Sequence, residues 1–136
     1  MLAGSVDTHV LVRLVAQDDA LQAQAVDRLL AHHAQKGALL FVPITVVLEL
    51  EWVLRSKLSQ SKTQVITTLS ALLALVEFSF ESEDALEQAL VDYEDGSADF
   101  GEYLHLALSR KREALPFFTF DRKAAKVPGA RSLLIG

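Results

Sequence analysis

The chain alternates short apolar segments with longer stretches of helical character, and this alternation limits the folds open to it more than any other feature. We predict four strands and a small fifth one, over residues 2–6, 38–42, 76–80, 117–120 and 133–135. Apolar strands separated by helices are typical of a parallel sheet that helices cover on both faces. We expect the first strand to be buried and the third to lie nearer an edge. The sequence therefore predicts the α/β class, with a mainly parallel sheet of four to five strands.

Six helices are predicted between these strands, from apolar spacing and from their start and stop signals. They cover residues 10–16, 18–36, 44–57, 61–75, 82–93 and 99–112. Pro43 ends the second strand and is tolerated in the first turn of the helix that follows. No repeat, linker or low-complexity tract divides the chain, and its length suits a single core. We therefore expect residues 1–136 to form one domain.

Several classes of protein and site are excluded by composition. No apolar run reaches the about 18 uncharged residues of a membrane span, and the start of the chain lacks the features of a signal peptide. We therefore expect a cytoplasmic protein with no membrane partner. The chain has no cysteine, which rules out disulfides, thiolate zinc sites and cysteine nucleophiles. Its four histidines do not show metal-ligand spacing.

The net charge of −5 argues at first against a nucleic-acid partner, but the charge is unevenly distributed. Residues 77–102 contain ten acidic side chains and no Lys or Arg, whereas the other 110 residues carry 13 basic and 8 acidic ones. A charge run of this kind is usually the solvated face of a helix. Outside it the chain is basic enough for a nucleic-acid partner.

Four acidic positions, which we interpret as one pocket, follow strands or lie on apolar helices. They are Asp7, Glu49, the pair Asp99 and Glu102, and Asp121. Asp7 and Asp121 directly follow predicted strands, and ligands of parallel sheets bind beyond the carboxyl ends of the strands. Glu49 has no basic residue three or four positions away on its helix, and an unpaired carboxylate near a core is costly. Glu51, by contrast, has Arg55 four residues on, as in an exposed ion pair.

Each acid also has an ordinary structural explanation, and these explanations stay open. Asp7 suits a helix N-cap, and Glu49 suits an acid at the margin of an apolar helix that reaches water. Asp99 and Glu102 fit a capping box, and Asp121 fits a turn. Capping and site roles are compatible at Asp99 and Glu102, because a cap turns the first-turn carboxylates towards the same end of the helix.

A cluster of carboxylates is tolerable mainly when a hard divalent cation neutralises it. Oxygen ligands without cysteine or histidine suit Mg²⁺ or Mn²⁺ better than zinc. The chemistry implied is phosphoryl transfer or phosphodiester hydrolysis. Basic residues close to two of the acids are candidate phosphate contacts, although a solvated helix end is the commoner reason for Lys and Arg at such positions. They are Arg110, Lys111, Arg112, Arg122, Lys123 and Lys126.

Four segments then carry a family resemblance, in order along nearly the whole chain: V-D-T-H-V-L-V-R-L-V, V-L-E-L-E-W-V-L-R, G-S-A-D-F-G-E-Y-L-H-L-A-L and T-F-D-R-K-A-A-K-V-P-G. They resemble the PIN-domain ribonucleases and, among these, the VapC-like toxins of bacterial toxin–antitoxin pairs. The resemblance implies a three-layer α/β/α sandwich and Mg²⁺- or Mn²⁺-dependent endoribonuclease activity. It also implies an RNA substrate, a cognate antitoxin protein as inhibitor, and a homodimer.

Carried over residue by residue, the first acid of the resembled family falls on Asp7, the second on Glu49 and the fourth on Asp121. Thr119 is the polar residue before the fourth acid that helps to position the site. The third acid is Asp99 or Glu102, since the family usually has Asp at both positions. His9 stands where the family usually has Asn. By this resemblance all five acids are metal-ligand candidates, and Thr119 joins them as a catalytic candidate.

The sequence thus predicts a ribonuclease that hydrolyses RNA phosphodiesters with metal-activated water. One alternative is a catalytically weak or inactive scaffold of the same fold that binds RNA or a protein partner, which Glu102 and His9 favour. A second alternative is a Mg²⁺ phosphatase with Asp7 as nucleophile. It would want another acid two residues on, where His9 stands.

Overall fold

Parallel strands connected by helices make up the structure, which confirms the predicted α/β class. A computed structural model describes residues 1–134, in two compact units: the first unit is Met1–Glu81, and the second unit begins at Ser82. The sequence predicted one sheet, whereas the five described strands hydrogen-bond in two sheets, of three and of two. Within residues 1–134 no helix has the length and apolar character needed to cross a membrane.

The first unit contains a three-stranded sheet in the order β1-β2-β3 and four helices. Its elements are β1 (Leu2–Ser5), α1 (Thr8–Ala16), α2 (Ala20–Gln35), β2 (Leu39–Val42), α3 (Ile44–Ser56), α4 (Lys62–Leu73) and β3 (Phe78–Phe80). The central strand β2 pairs on both sides and buries Leu40 and Val42. Helix α1 packs against α2 and α3, and α3 packs against α4. In this unit α1 follows β1 and α3 follows β2 within three residues, so the starts of α1 and α3 lie near the carboxyl ends of those strands.

The first strand is exposed, and the prediction that it is buried was wrong. Strand β1 lies at an edge of its sheet, and Leu2 is 54% exposed. The residues after it, Ala3, Gly4 and Ser5, carry little apolar surface that burial could stabilise. Burial begins only at Val6, just before α1.

In the first unit, side chains accept hydrogen bonds from the backbone N–H groups at helix starts in two ways. Asp19 accepts the N–H of Gln22 at 3.1 Å, a local N-cap. Helix α3 follows Pro43, which has no side-chain donor or acceptor, and its first N–H, that of Ile44, instead donates to Oε1 of Glu81 at 2.8 Å. Glu81 directly follows β3, so the cap of α3 comes from another strand end of the same sheet.

The predicted ion pair between Glu51 and Arg55 is present, but Glu51 is buried, so the prediction that the pair is exposed was wrong for Glu51. Its residue exposure is 2%, and its carboxylate accepts two hydrogen bonds from Arg55 one turn later. The helical period explains the burial, because position 51 falls on the same face of α3 as Val47, Leu50 and Leu54, which are all buried. The Arg55 guanidinium supplies the partner that a buried carboxylate requires.

The second unit consists of two packed helices and a small parallel sheet. Its elements are α5 (Glu83–Asp95), α6 (Phe100–Lys111), β4 (Phe117–Thr119), a 3₁₀ turn over Ala124–Lys126, and β5 (Ala130–Ser132). Tyr93 of α5 packs against Phe100 and Tyr103 of α6. The Tyr103 hydroxyl accepts the N–H of Ala98 at 3.0 Å. A side chain at Gly96 would collide with that hydroxyl, so only glycine fits the link between the helices.

The fifth strand lies earlier than predicted. Strand β5 covers Ala130–Ser132, whereas the prediction was residues 133–135, of which Ile135 lies outside the described residues. Gly129, at φ +95°, reverses the chain, and its carbonyl accepts the N–H of Phe117 at 2.8 Å. Pairing with β4 therefore begins immediately after the turn. The 3₁₀ turn before it was not predicted.

Candidate active site

Asp7 lies between β1 and α1, at the carboxyl end of the strand as predicted. Its backbone is extended, and its Oδ1 accepts the N–H of Val10 at 3.1 Å, so the residue is the N-cap of α1. The side chain remains exposed. Capping therefore occurs, and it fixes the direction of the carboxylate while leaving its other oxygen towards solvent.

Glu49 is linked to the start of α1 by a residue that the sequence did not single out. Thr8 is buried at 4% exposure, and its hydroxyl donates to Oε1 of Glu49, which lies 41 positions later on α3. Thr8 directly follows Asp7, so one short segment supplies the first acid and holds the second. The signal in the sequence was the Asp-Thr pair at a helix start, but the partner of the threonine depends on how α1 packs against α3.

A groove of about 500 Å³ lies beside Glu49 in the first unit. Thr8 and His9 of α1 line one side, and Glu49 and Trp52 of α3 line the other. His9 is exposed, and within residues 1–134 it forms no hydrogen bond with Asp7. The groove runs along α1 and α3, from Thr8 at the start of α1 to Lys57 after the end of α3.

Asp99 is the N-cap residue of α6, but its carboxylate does not cap the helix. Its backbone is extended, its carbonyl accepts the N–H of Glu102 at 3.0 Å, and its side chain accepts no helix N–H. The capping-box interpretation of Asp99 and Glu102 was therefore wrong. The Asp99 side chain makes no capping hydrogen bond and lines the cavity that also contains Asp121.

Asp121 stands immediately after β4 and is held by its own neighbours. Its Oδ1 accepts the N–H of Lys123 at 2.8 Å and the N–H of Ala124 at 2.9 Å. Its own N–H donates to the hydroxyl of Thr119 at 3.0 Å. The turn interpretation is correct in geometry, and Thr119 braces the backbone of the acid. The second carboxylate oxygen stays exposed.

Asp99 and Asp121 line one cavity of about 300 Å³ in the second unit. Ala98, Arg122 and Lys123 complete its lining. Glu102 is half-buried one turn into α6 and is not part of that lining. Of the two candidates for the third acid, the structure therefore places Asp99 beside Asp121.

Two of the other four basic candidates, Arg110 and Lys111, already have partners. Lys111 pairs with Asp84 at 2.9 Å, and Arg110 donates to the carbonyl of Pro128 at 3.1 Å. The hydrogen bond from Lys111, together with the N–H of Ala85, lowers the pKa of the Asp84 carboxyl below its usual 3.8. Arg122 and Lys123 are the two candidates that lie beside the acids.

The donor chemistry of the acids fits a hard divalent cation. All the candidates offer carboxylate oxygens, and in Asp7, Glu49 and Asp121 the protein holds one oxygen while the other has no hydrogen-bond partner in the described chain. Hydrogen bonds of this kind orient metal ligands. Among residues 1–134 no group of three or more His, Asp or Glu side chains is positioned to hold an ion together. The first unit thus has two of the acids near Thr8, namely Asp7 and Glu49. The second unit has Asp99 and Asp121 at one cavity.

Comparison with known families gives one match. The family model described as PIN domain matches residues 5–130, a range that extends across both units and includes all five acidic candidates. No curated protein and no solved structure matches the chain.

Proposed function

The chain belongs to the PIN-domain family, whose fold is of the nuclease type, and from this premise we propose that it is a Mg²⁺- or Mn²⁺-dependent endoribonuclease. The substrate is RNA, and the reaction is hydrolysis of a phosphodiester within the strand. One observation carries the proposal: Asp7 and Asp121, which follow strands, and Glu49, within α3, each have one oxygen fixed by the protein and one left open. Among residues 1–134 Glu49 caps no helix, yet the buried Thr8 hydroxyl holds one of its oxygens.

The residues have distinct roles in this proposal. Asp7 and Glu49 of the first unit, and Asp99 and Asp121 of the second, are the proposed cation ligands, and a bound cation would supply Lewis acidity and offset the charge of the phosphate. Thr8 fixes the direction of Glu49, and Thr119 fixes the backbone of Asp121. Arg122 and Lys123, in the cavity with Asp99 and Asp121, bind phosphate oxygens of the RNA. Glu102 is a supporting residue and not the third ligand.

The biological setting forms part of the same proposal. The protein acts as the toxin of a toxin–antitoxin pair in the cytoplasm, a cognate antitoxin protein inhibits it, and the active form is a homodimer. The support is the resemblance of the four quoted segments to VapC-like toxins. Co-expression with the gene that neighbours its own would test the toxin role: growth arrest that the neighbour relieves supports it, and harmless expression of the cleaving protein contradicts it.

The first test is cleavage of a mixed RNA pool by the purified protein with Mg²⁺, with Mn²⁺ and with EDTA. We expect cleavage with either metal and none with EDTA. If no metal supports cleavage while RNA still binds, the protein is a non-catalytic scaffold. Release of phosphate from a small phosphoester, with the RNA left intact, would instead support the phosphatase alternative.

Asp99 and Glu102 can be separated in the same assay. Asp99→Asn removes a cation ligand, and we expect cleavage to fall by about a hundredfold or more. Glu102→Gln keeps its size and removes only charge outside the cavity, so we expect a change of about threefold or less. Glu87→Gln, at an exposed position of α5, is the matched control. A larger effect at Glu102 than at Asp99 would reverse the assignment.

A further inference from the structure

Helix α3 has a second functional face that the acids do not explain. Its buried face carries Val47, Leu50, Glu51 and Leu54, while the opposite face turns Trp52 towards the groove beside Glu49. Trp52 is the only tryptophan of the chain, and it is 49% exposed. Because about half of the Trp52 surface is in contact with water, packing of the core does not explain this residue.

The position of Trp52 relative to Glu49 is fixed by the helix. Residues three apart lie on the same side of a helix with Cβ atoms about 5–6 Å apart. Both side chains line the same groove, together with Thr8 and His9. A flat aromatic surface therefore stands one helical turn from a carboxylate of the candidate metal site.

One cation next to the ring is available for a phosphate, although the groove as a whole also contains the carboxylates of Asp18 and Glu49. Lys57 places its Nζ 5.6 Å from the centroid of the Trp52 ring and forms no ion pair among the described residues. Arg13, in the same groove, is already engaged with Asp18 and Gln22. Lys57 is thus the cation left for an incoming phosphate. Its contact with the ring is at the long end of the cation–π range, so a stacking base can displace it.

We infer that the groove binds a nucleobase of single-stranded RNA by stacking it on Trp52, while Lys57 contacts the adjoining phosphate. This inference rests on the proposed function, and it adds the part of the substrate that the acids do not touch. Stacking on an aromatic ring requires a base that is not paired in a duplex, and it tolerates any of the four bases. The substrate class is therefore unpaired RNA with little sequence preference at this nucleotide.

The sole tryptophan gives a direct readout. The protein, in low salt with EDTA to prevent cleavage, is titrated with a hexaribonucleotide, with an abasic ribose-phosphate strand of the same length, and with a blunt RNA duplex. We expect the single strand to quench the fluorescence of Trp52, and the abasic strand and the duplex to leave it unchanged. Equal quenching by the abasic strand, or none by any ligand, would overturn the inference.

Substitutions test the same point without fluorescence. With a labelled hexaribonucleotide, we expect Trp52→Leu to raise Kd about tenfold and Trp52→Phe to raise it by about threefold or less, because phenylalanine still stacks. Lys57→Gln should lower the slope of log Kd against log salt by about 0.7. Val76→Ala, which also trims an exposed apolar side chain of the first unit, is the control and should bind as the wild type.

The outcomes separate this inference from the proposed function. The wild-type protein could cleave RNA although RNA does not quench Trp52 fluorescence and Trp52→Leu has the wild-type Kd. This result would overturn the stacking site and leave the nuclease proposal standing. Base-dependent quenching without cleavage under any metal overturns the nuclease proposal and supports Trp52 as a nucleobase-binding residue.

Discussion

The two units hold their acids by different means. In the first unit the hydrogen bond that fixes Glu49 comes from Thr8, which is 41 positions away in the chain. In the second unit Asp121 is fixed by the N–H groups two and three positions after it. Helix α1 is capped by Asp7, whereas α5 and α6 begin without a side-chain cap. The position of Glu49 thus depends on packing between distant segments, whereas Asp7 and Asp121 are held by N–H groups within three positions of them.

The largest expected effect tests whether RNA cleavage requires both Asp7 of the first unit and Asp121 of the second. We expect Asp7→Asn and Asp121→Asn each to reduce RNA cleavage by about a thousandfold, because the loss of a carboxylate removes several kcal/mol of charge stabilisation. Both folds should stand, since asparagine still accepts the cap or turn hydrogen bond. Initial rates with Mg²⁺ and circular dichroism check the two statements. Asp27→Asn, an exposed acid on α2, controls for the change itself. Wild-type rates in either variant would remove that acid from the site.

The next effect concerns stability in the first unit. Arg55→Met leaves the carboxylate of Glu51 buried without its guanidinium, and we expect the free energy of unfolding to fall by about 3 kcal/mol. Urea denaturation measures this change. Arg28→Met, an exposed arginine on α2, should stay within about 0.5 kcal/mol of the wild type. If both variants were equally stable, the ion pair between Glu51 and Arg55 would not contribute to the free energy of unfolding.

The comparison between the units predicts an asymmetry between the two threonines. Thr8→Val removes the hydroxyl that orients Glu49, and we expect cleavage to fall about 10- to 100-fold. Thr119→Val removes a contact to a backbone N–H, while two further amides still hold Asp121, so we expect a loss of about threefold. Thr8→Ser should restore most activity. Equal losses at the two positions would show that the long-range and local supports carry the same weight.

The smallest effect belongs to the exposed ion pair of the second unit. The hydrogen bond from Lys111 and the N–H of Ala85 lower the pKa of Asp84 below 3.8, so this carboxylate stabilises the folded state above about pH 4. The stabilisation is lost as the pH falls through the lowered pKa. We expect Asp84→Asn to lower the urea midpoint slightly at pH 7 and to match the wild type once the carboxyl is protonated. An Asp84→Asn difference that grows towards low pH would contradict the sign.

Most local features of the fold follow from the sequence, because they depend on neighbours along the chain. The helices, the cap at Asp7 and the turn at Asp121 are of this kind. The features that could not be predicted depend on contacts between distant segments. Thr8 finds Glu49 only once α1 lies against α3, and the burial of Glu51 depends on what covers its face of α3.

Two predictions from local sequence patterns were wrong because each pattern is compatible with two different structures. D-x-x-E at the start of α6 has the spacing of a capping box, but the direction of the Asp99 side chain decides whether it caps. Nothing in the sequence gives that direction. Likewise, a short apolar run does not reveal whether its strand is central or at an edge. For this reason the exposure of β1 was not predicted.

The contact between Glu81 and Ile44 has a consequence for synthesis of the protein. Helix α3 carries both Glu49 and Trp52, yet its first N–H is satisfied by a residue 37 positions further on. A cap of this kind is worth about 1 kcal/mol to a helix start. While the ribosome has added the helix but not residue 81, the first turn of α3 lacks this support. Until residue 81 has been added, the start of the helix that bears Glu49 is therefore less stable by about 1 kcal/mol.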